Sequence, residues 1–234
     1  MKNLFLSLFI LISLNLEAKK ISVLLITGGH SFDTVQFFNM FEEMKEIRYT
    51  AVWQPEANKM ITSGEAGKYD LLVFYDMIQP VSEETKASYI NLTKTGIPLL
   101  FLHHSLASYQ NWTEFEKLLG GKYVLKGANI PESQLSTYKH DVWVEIKAAG
   151  PGHPVTKGLE SFRLFDEVYG NYTVGAGSKP LLTTTHPEST PVIAWENRYN
   201  SSKIIYLQPG HDKNSYNHPQ FRKLLLQAIL YLKK

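Results

Sequence analysis

The ionisable side chains of this sequence gather where apolar runs end. Ile21 to Thr27 leads into Gly28-Gly29-His30-Ser31-Phe32-Asp33, and Leu71 to Tyr75 into Asp76-Met77. Leu99 to Leu102 leads into His103-His104-Ser105, and Ile204 to Leu207 into Gln208-Pro209-Gly210-His211-Asp212. Three of the eight histidines therefore sit just past an apolar run, with His104 beside one of them. Imidazole exchanges a proton near neutral pH, which suits these positions to general acid/base work. His30 follows two glycines, which let the backbone turn sharply or approach a ligand closely. His103 and His104 are consecutive, so if both continued a strand they would point to opposite faces. His103 is then the functional choice and His104 a substrate-side neighbour. Asp76 is read as a substrate-binding group, although an aspartate after a strand also caps turns.

Phe165-Asp166-Glu167-Val168-Tyr169 sets two carboxylates beside a phenol, read as a partly buried loop. Such a group can supply an acid/base or bind sugar hydroxyls. Tyr109, Trp112 and Tyr169 are candidate aromatic platforms for a sugar ring. Ser105 lacks the glycines of G-x-S-x-G, since His103 and Ala107 hold those positions, so it is not read as a nucleophile. His153 and His186 read as loop structure, and His140 and His218 carry no independent signal. Gly28-Gly29 lacks the G-x-G-x-x-G spacing, so no dinucleotide site is read and the cofactor stays unknown. Imidazole and carboxylate suit divalent ions, but no local spacing such as H-E-x-x-H is present. A metal-free acid/base site is the expectation.

Composition narrows the chemistry further. The chain has 234 residues and no cysteine, which removes thiolate nucleophiles, thiolate zinc sites, iron–sulfur clusters and disulfides. A formal net charge of +2 gives no basic excess for tracking phosphates, so nucleic acid is not an expected partner. The proportion of hydrophobic residues, 44%, is that of an ordinary globular domain with its own core.

The elements that must carry these residues alternate. Near-continuous apolar runs at 21–27, 70–76 and 96–102 suit strands buried on both faces. A further strand is read at Ile47 to Trp53. Residues 34 to 45 space Val35, Phe38, Met40, Phe41 and Met44 at a helical period, and Ser82 to Thr95 reads as a second helix. Strands alternating with helices predict an open, mostly parallel α/β sheet with helices on both faces. The later half predicts an added β section: a half-exposed strand from His140 to Lys147, and a hairpin of 191–195 and 203–207. Pro219 opens a terminal helix whose stripe is Phe221, Leu224, Leu225, Ala228, Ile229 and Leu232.

Met1-Lys2-Asn3, the apolar Leu4 to Leu16 and Glu17-Ala18-Lys19-Lys20 form the pattern of a secretory signal peptide. Residues 1–18 are expected to be removed after Ala18, leaving a single domain over 19–234 in the periplasm or outside the cell, with no membrane partner.

Taken together and in order, several motifs resemble the ThuA-like family, named for trehalose utilisation. They are Leu24 to His30, Tyr69 to Phe74, Gly96 to His103, Trp112, Leu118-Leu119-Gly120-Gly121, His153-Pro154, Asp166 to Tyr169, Pro191 to Trp195 and Gly210-His211. The resemblance implies a flavodoxin-like α/β fold similar to class I glutamine amidotransferases. In those proteins the nucleophilic cysteine sits on the turn that corresponds to His103-His104-Ser105, so cysteine-dependent glutamine hydrolysis is out. It also implies a role in disaccharide or glycoside use, with His30, His103, Asp166, Glu167, Tyr169 and His211 as the matched site residues. His104 departs from the small residue common after the matched histidine. The resulting expectation is acid/base chemistry on a small-molecule carbohydrate, a sugar or keto-sugar, by lyase, isomerase or hydrolase action. The alternative is a non-catalytic sugar-binding module. His30, Asp76, His103 and His211 are predicted to share one cleft at the carboxyl ends of the strands.

Overall fold

A computed structural model describes residues 19–127, 129–150 and 152–233, so the leader read at 1–18 lies outside the described residues. The buried apolar runs form β1 (Ile21–Gly28), β3 (Leu71–Asp76) and β4 (Leu99–Leu102), with β2 (Ile47–Trp53) on the outside. β11 (Ser202–Leu207) joins them, and these five strands run parallel in the order β2-β1-β3-β4-β11. This is the flavodoxin-like order. The same sheet continues antiparallel through β10 (Val192–Tyr199), β9 (Lys179–Thr183), β6 (Thr137–Ala148) and β7 (Phe162–Gly170). A separate pair joins β5 (Gly121–Lys122) to β8 (Thr173–Val174).

Alternate residues of each central strand enter different cores, which is why those strands read as unbroken apolar runs. Val23, Leu25 and Val73 pack with α1 (Thr34–Glu42) and α6 (Pro219–Lys233). Leu24, Ile26, Leu72 and Phe74 pack with α2 (Glu56–Thr62), α3 (Glu83–Lys94) and α4 (Thr113–Leu119) on the opposite face. Ser82 caps α3, its hydroxyl accepting from the Thr85 amide. The predicted stripe of α6 is buried at all six positions.

Some sequence expectations shift. α1 buries Phe37, Met40 and Phe41, followed by Met44 just past its end, whereas Val35 is 66% exposed. The true stripe is i, i+3, i+4, i+7 from Phe37, and it leaves Val35 on the outer face. Asp166 and Glu167 lie within strand β7, not in a loop. They are nonetheless buried, because polar partners from other elements meet them there. Among the described residues no helix is long and apolar enough to cross a membrane.

Candidate functional site

The parallel strands leave a crevice where the chain order reverses, between β1 and β3, and loops from both strands converge beside it. β1 exits through Gly28 and Gly29, both at positive φ. A Cβ on Gly29 would lie 1.9 Å from the Met77 carbonyl oxygen, so only glycine lets the two loops pass this closely. The turn delivers His30, whose Nδ1–H donates to the Ser31 carbonyl at 2.7 Å and leaves Nε2 as the basic nitrogen.

β4 stops at Leu102, and a turn begins at His103 with φ +49. The left-handed conformation ends the strand, so the opposite-faces expectation for His103 and His104 does not apply: both rings turn into the same region. His104 is 3% exposed and lies between His30, at 4.6 Å, and Tyr75, at 4.3 Å between ring centroids. Neither of its ring nitrogens has a hydrogen-bond partner. Ser105 is buried and donates to the Leu102 carbonyl, an anchoring role for the turn.

His103 donates through Nδ1 to the Gln208 carbonyl at 2.7 Å, which fixes the lone pair on Nε2. That nitrogen lies 2.9 Å from Glu167 Oε2 and 3.2 Å from His211 Nδ1, and the last two atoms are 3.1 Å apart. The Tyr169 hydroxyl donates to His103 Nε2 at 2.8 Å. Two imidazole nitrogens and a carboxylate oxygen thus form a near-equilateral triangle, a donor set that suits a divalent cation.

A cradle of buried groups fixes His211. Asp166 accepts from the amides of Gly210 at 2.8 Å and His211 at 2.9 Å, using both its oxygens. Tyr216 donates to the His211 carbonyl at 2.8 Å, and its hydroxyl pairs with that of Tyr75 at 2.6 Å. Asp166 therefore positions the loop.

His140, which sequence reasoning set aside, belongs to the cluster. In the β6–β7 ladder Lys139 pairs with Val168 and Val142 with Asp166, so His140 and Asp141 together face Glu167. This bulge, with Asp141 at φ +58, aims His140 at Glu167, where Nδ1 lies 3.4 Å from Oε1. Its ring is 4.7 Å from that of His211. An aspartate tolerant of positive φ after the histidine is the only sequence signal, and it is a faint one.

A cavity of about 220 Å³ opens over this cluster, lined by His30, His104, His140, Glu167 and Tyr169 together with Met77, Tyr123 and Tyr138. A larger hollow of about 820 Å³ beside Pro55 and Pro80 has no comparable convergence of histidines. Three expected members fall elsewhere. Asp76 is buried and accepts from Gln54 Nε2 at 2.8 Å, on the α2 side of the sheet. Tyr109 donates to Asn58 Oδ1 at 2.9 Å, and Trp112 packs on Tyr89 and Phe115. The two rings are 2% and 7% exposed, so neither presents a platform. Their apolar bodies fill the core between α2, α3 and α4, and that burial overrides the platform reading.

The charges within the cluster are coupled. Burial raises the pKa of Glu167, but the imidazoles of His103 and His211 beside it outweigh that and hold the carboxyl below the usual range. Burial lowers that of His211 while Glu167 raises it further, for a net increase. Burial lowers His30, leaving its imidazole neutral at pH 7, and His104 falls well below the ordinary histidine value through burial and the neighbouring imidazoles. The site thus offers a neutral base, His30, beside a fixed anion, Glu167.

The comparisons with known proteins agree with this architecture. A family model described as ThuA, trehalose utilisation, matches residues 22–232. A ThuA-like protein from Parabacteroides merdae superposes with a TM-score of 0.76 at 19% identity, over 92% of this chain and 91% of that one. One from Bacteroides uniformis gives 0.71 at 18% identity, over 92% of each chain. A GMP synthase component from Thermoplasma acidophilum gives 0.54 at 13% identity, over 90% of this chain and 94% of that one. At these identities the likenesses show the fold, one shared with class I glutamine amidotransferases. No curated protein matches the chain.

Proposed function

The chain belongs to the ThuA family, which ties it to carbohydrate utilisation, and from that premise we propose that it is an enzyme performing acid/base chemistry on a sugar or keto-sugar. The observation that carries the reading is the convergence of His30, His140 and Glu167 on one cavity, with a neutral imidazole at its wall. The hydrogen on a carbon next to a ketone is acidic enough for an imidazole to remove. His30 is the accessible base, because its Nε2 is not engaged by Nδ1's bond to Ser31. His103 is fully buried and does not line the cavity, so it acts through the groups it holds. Glu167 and Tyr169 face the substrate, and Tyr123 and Tyr138 give the ring its flanking surfaces. Elimination and isomerisation both begin with such a proton transfer, and hydration, the reverse of elimination, ends with one. Export to the periplasm or beyond is part of the same reading and rests on the leader pattern of residues 1–18.

The test is to incubate the purified protein with disaccharides and their keto forms and to follow the sugar protons by NMR. Conversion is expected, and His30→Ala should slow it by about 10²–10⁴-fold while the circular dichroism spectrum is kept. Saturable sugar binding with no conversion would replace the enzyme with a binding module. Full turnover in His30→Ala would remove His30 from the chemistry.

A further inference from the structure

We propose that His103 Nε2, His211 Nδ1 and Glu167 Oε2 form the binding site of one divalent first-row transition ion, with open coordination positions facing the cavity. The proposal concerns the pocket of the acid/base reading but does not depend on the identity of the reaction.

Three features of the site point to an ion. The first is spacing: the ligand atoms are 2.9, 3.1 and 3.2 Å apart. An ion at the usual metal–ligand distance of about 2.1 Å from each would subtend angles of about 95°. Such angles describe three ligands on one face of the ion, the two-histidine, one-carboxylate arrangement that leaves the other face free. The second is orientation. The other ring nitrogen of His103 donates to the Gln208 carbonyl, which aims the Nε2 lone pair into the triangle as the outer hydrogen-bond partners of metal ligands do. The amides of Gly210 and His211 are held by Asp166, which fixes the second imidazole at its backbone.

The third is an excess of acceptors. The Tyr169 hydroxyl lies 2.8 Å from His103 Nε2, and that nitrogen is also 2.9 Å from Glu167 Oε2, so lone-pair-bearing atoms crowd one point. A cation at the centre of the triangle would satisfy all three atoms at once. The cavity wall adds an independent sign that something polar binds here. His104 is buried with both ring nitrogens unpartnered, and ion-bound water or a sugar hydroxyl would supply the missing partner. Mixed imidazole and carboxylate donors favour zinc, cobalt, iron or manganese over calcium or magnesium. An ion so placed would draw a ketone oxygen and its neighbouring hydroxyl onto the open face and polarise the carbonyl.

The test needs no substrate. The full chain is stripped with a chelator, dialysed and titrated with Co²⁺, reading visible d–d absorption, and with Zn²⁺ by calorimetry. One equivalent per chain is expected, with a rise in melting temperature that grows with ion concentration. Glu167→Gln keeps the side-chain volume, and His211→Ala alters a partly exposed ring; each should weaken binding by about 100-fold or more. His153→Ala, which breaks a histidine–glutamate pair at a separate place, should leave the titration unchanged. Should Glu167→Gln unfold by circular dichroism, His211→Ala decides alone. Absence of saturable uptake, or uptake unaffected in a folded His211→Ala, would overturn the proposal and leave the triangle to a proton. A chain that binds Co²⁺ yet converts no sugar would keep the ion site and lose the proposed reaction; conversion without any ion uptake would do the reverse.

Discussion

Replacing Asp76 with asparagine should make the protein more stable, and increasingly so as pH rises. Asp76 is 2% exposed, and burial pushes its pKa up to about 7 despite the amide hydrogen that Gln54 donates to it. The unfolded chain has an aspartate pKa of about 3.9. An acid whose folded pKa lies above its unfolded value binds its proton more tightly in the native state. Stability therefore falls as pH climbs from about 4 to about 7, and the cost is complete above that. Three pK units correspond to about 4 kcal/mol at pH 8, and the same relation gives about 1.5 kcal/mol at pH 5. Asparagine keeps an oxygen for the Gln54 amide and has no charge to bury, so the variant escapes the pH-dependent part. Urea unfolding of both proteins at pH 5 and pH 8 should show the variant's advantage growing by about 2.5 kcal/mol, since every other titrating group cancels in the difference. An advantage of equal size at the two pH values would refute the reasoning and place a second donor, or water, beside the carboxylate. The variant should also retain turnover, because Asp76 faces the α2 side and does not line the cavity.

Two further substitutions probe the turns. Gly29→Ala puts a methyl group 1.9 Å from the Met77 carbonyl at φ +79, so it should cost about 2–4 kcal/mol in thermal or urea unfolding and displace His30 from the cavity. Ser105→Ala removes one buried bond to the Leu102 carbonyl; it should lower stability by about 1 kcal/mol and leave sugar turnover intact, and a collapse of turnover would restore serine as a nucleophile.

What the sequence disclosed follows from how each feature is encoded. β1, β3 and β4 are buried on both faces, so their residues had to be apolar throughout and the parallel half could be read directly. His30, His103 and His211 were legible for a related reason: in such a sheet the loops at the carboxyl ends of the strands carry the chemistry. His140 was hidden because a register shift, not a residue pattern, aims it, and pairing across strands is not written in either strand alone. Asp166 and Glu167 read as a loop because two adjacent acids contradict a buried strand until their partners, two backbone amides and two imidazoles, are known. Tyr109 and Trp112 show the opposite failure. An aromatic with a polar atom serves a core or a sugar platform equally well, and only burial separates the two.

The site is assembled from both halves of the sheet, and that division explains why the chain needs its antiparallel extension. The parallel half supplies imidazoles on short turns: His30 after β1, His103 after β4 and His211 after β11. Three imidazoles brought together with no anion would suppress one another's protonation. The compensating charge comes from β7, which carries Glu167 into the cluster and Asp166 under the His211 loop, while the β6 bulge adds His140 at the open side. His103 opens its turn in the left-handed backbone conformation, at φ +49. That conformation sets its buried imidazole between the Gln208 carbonyl and Glu167. The added strands are thus the source of the negative charge around which the imidazoles of the parallel half gather.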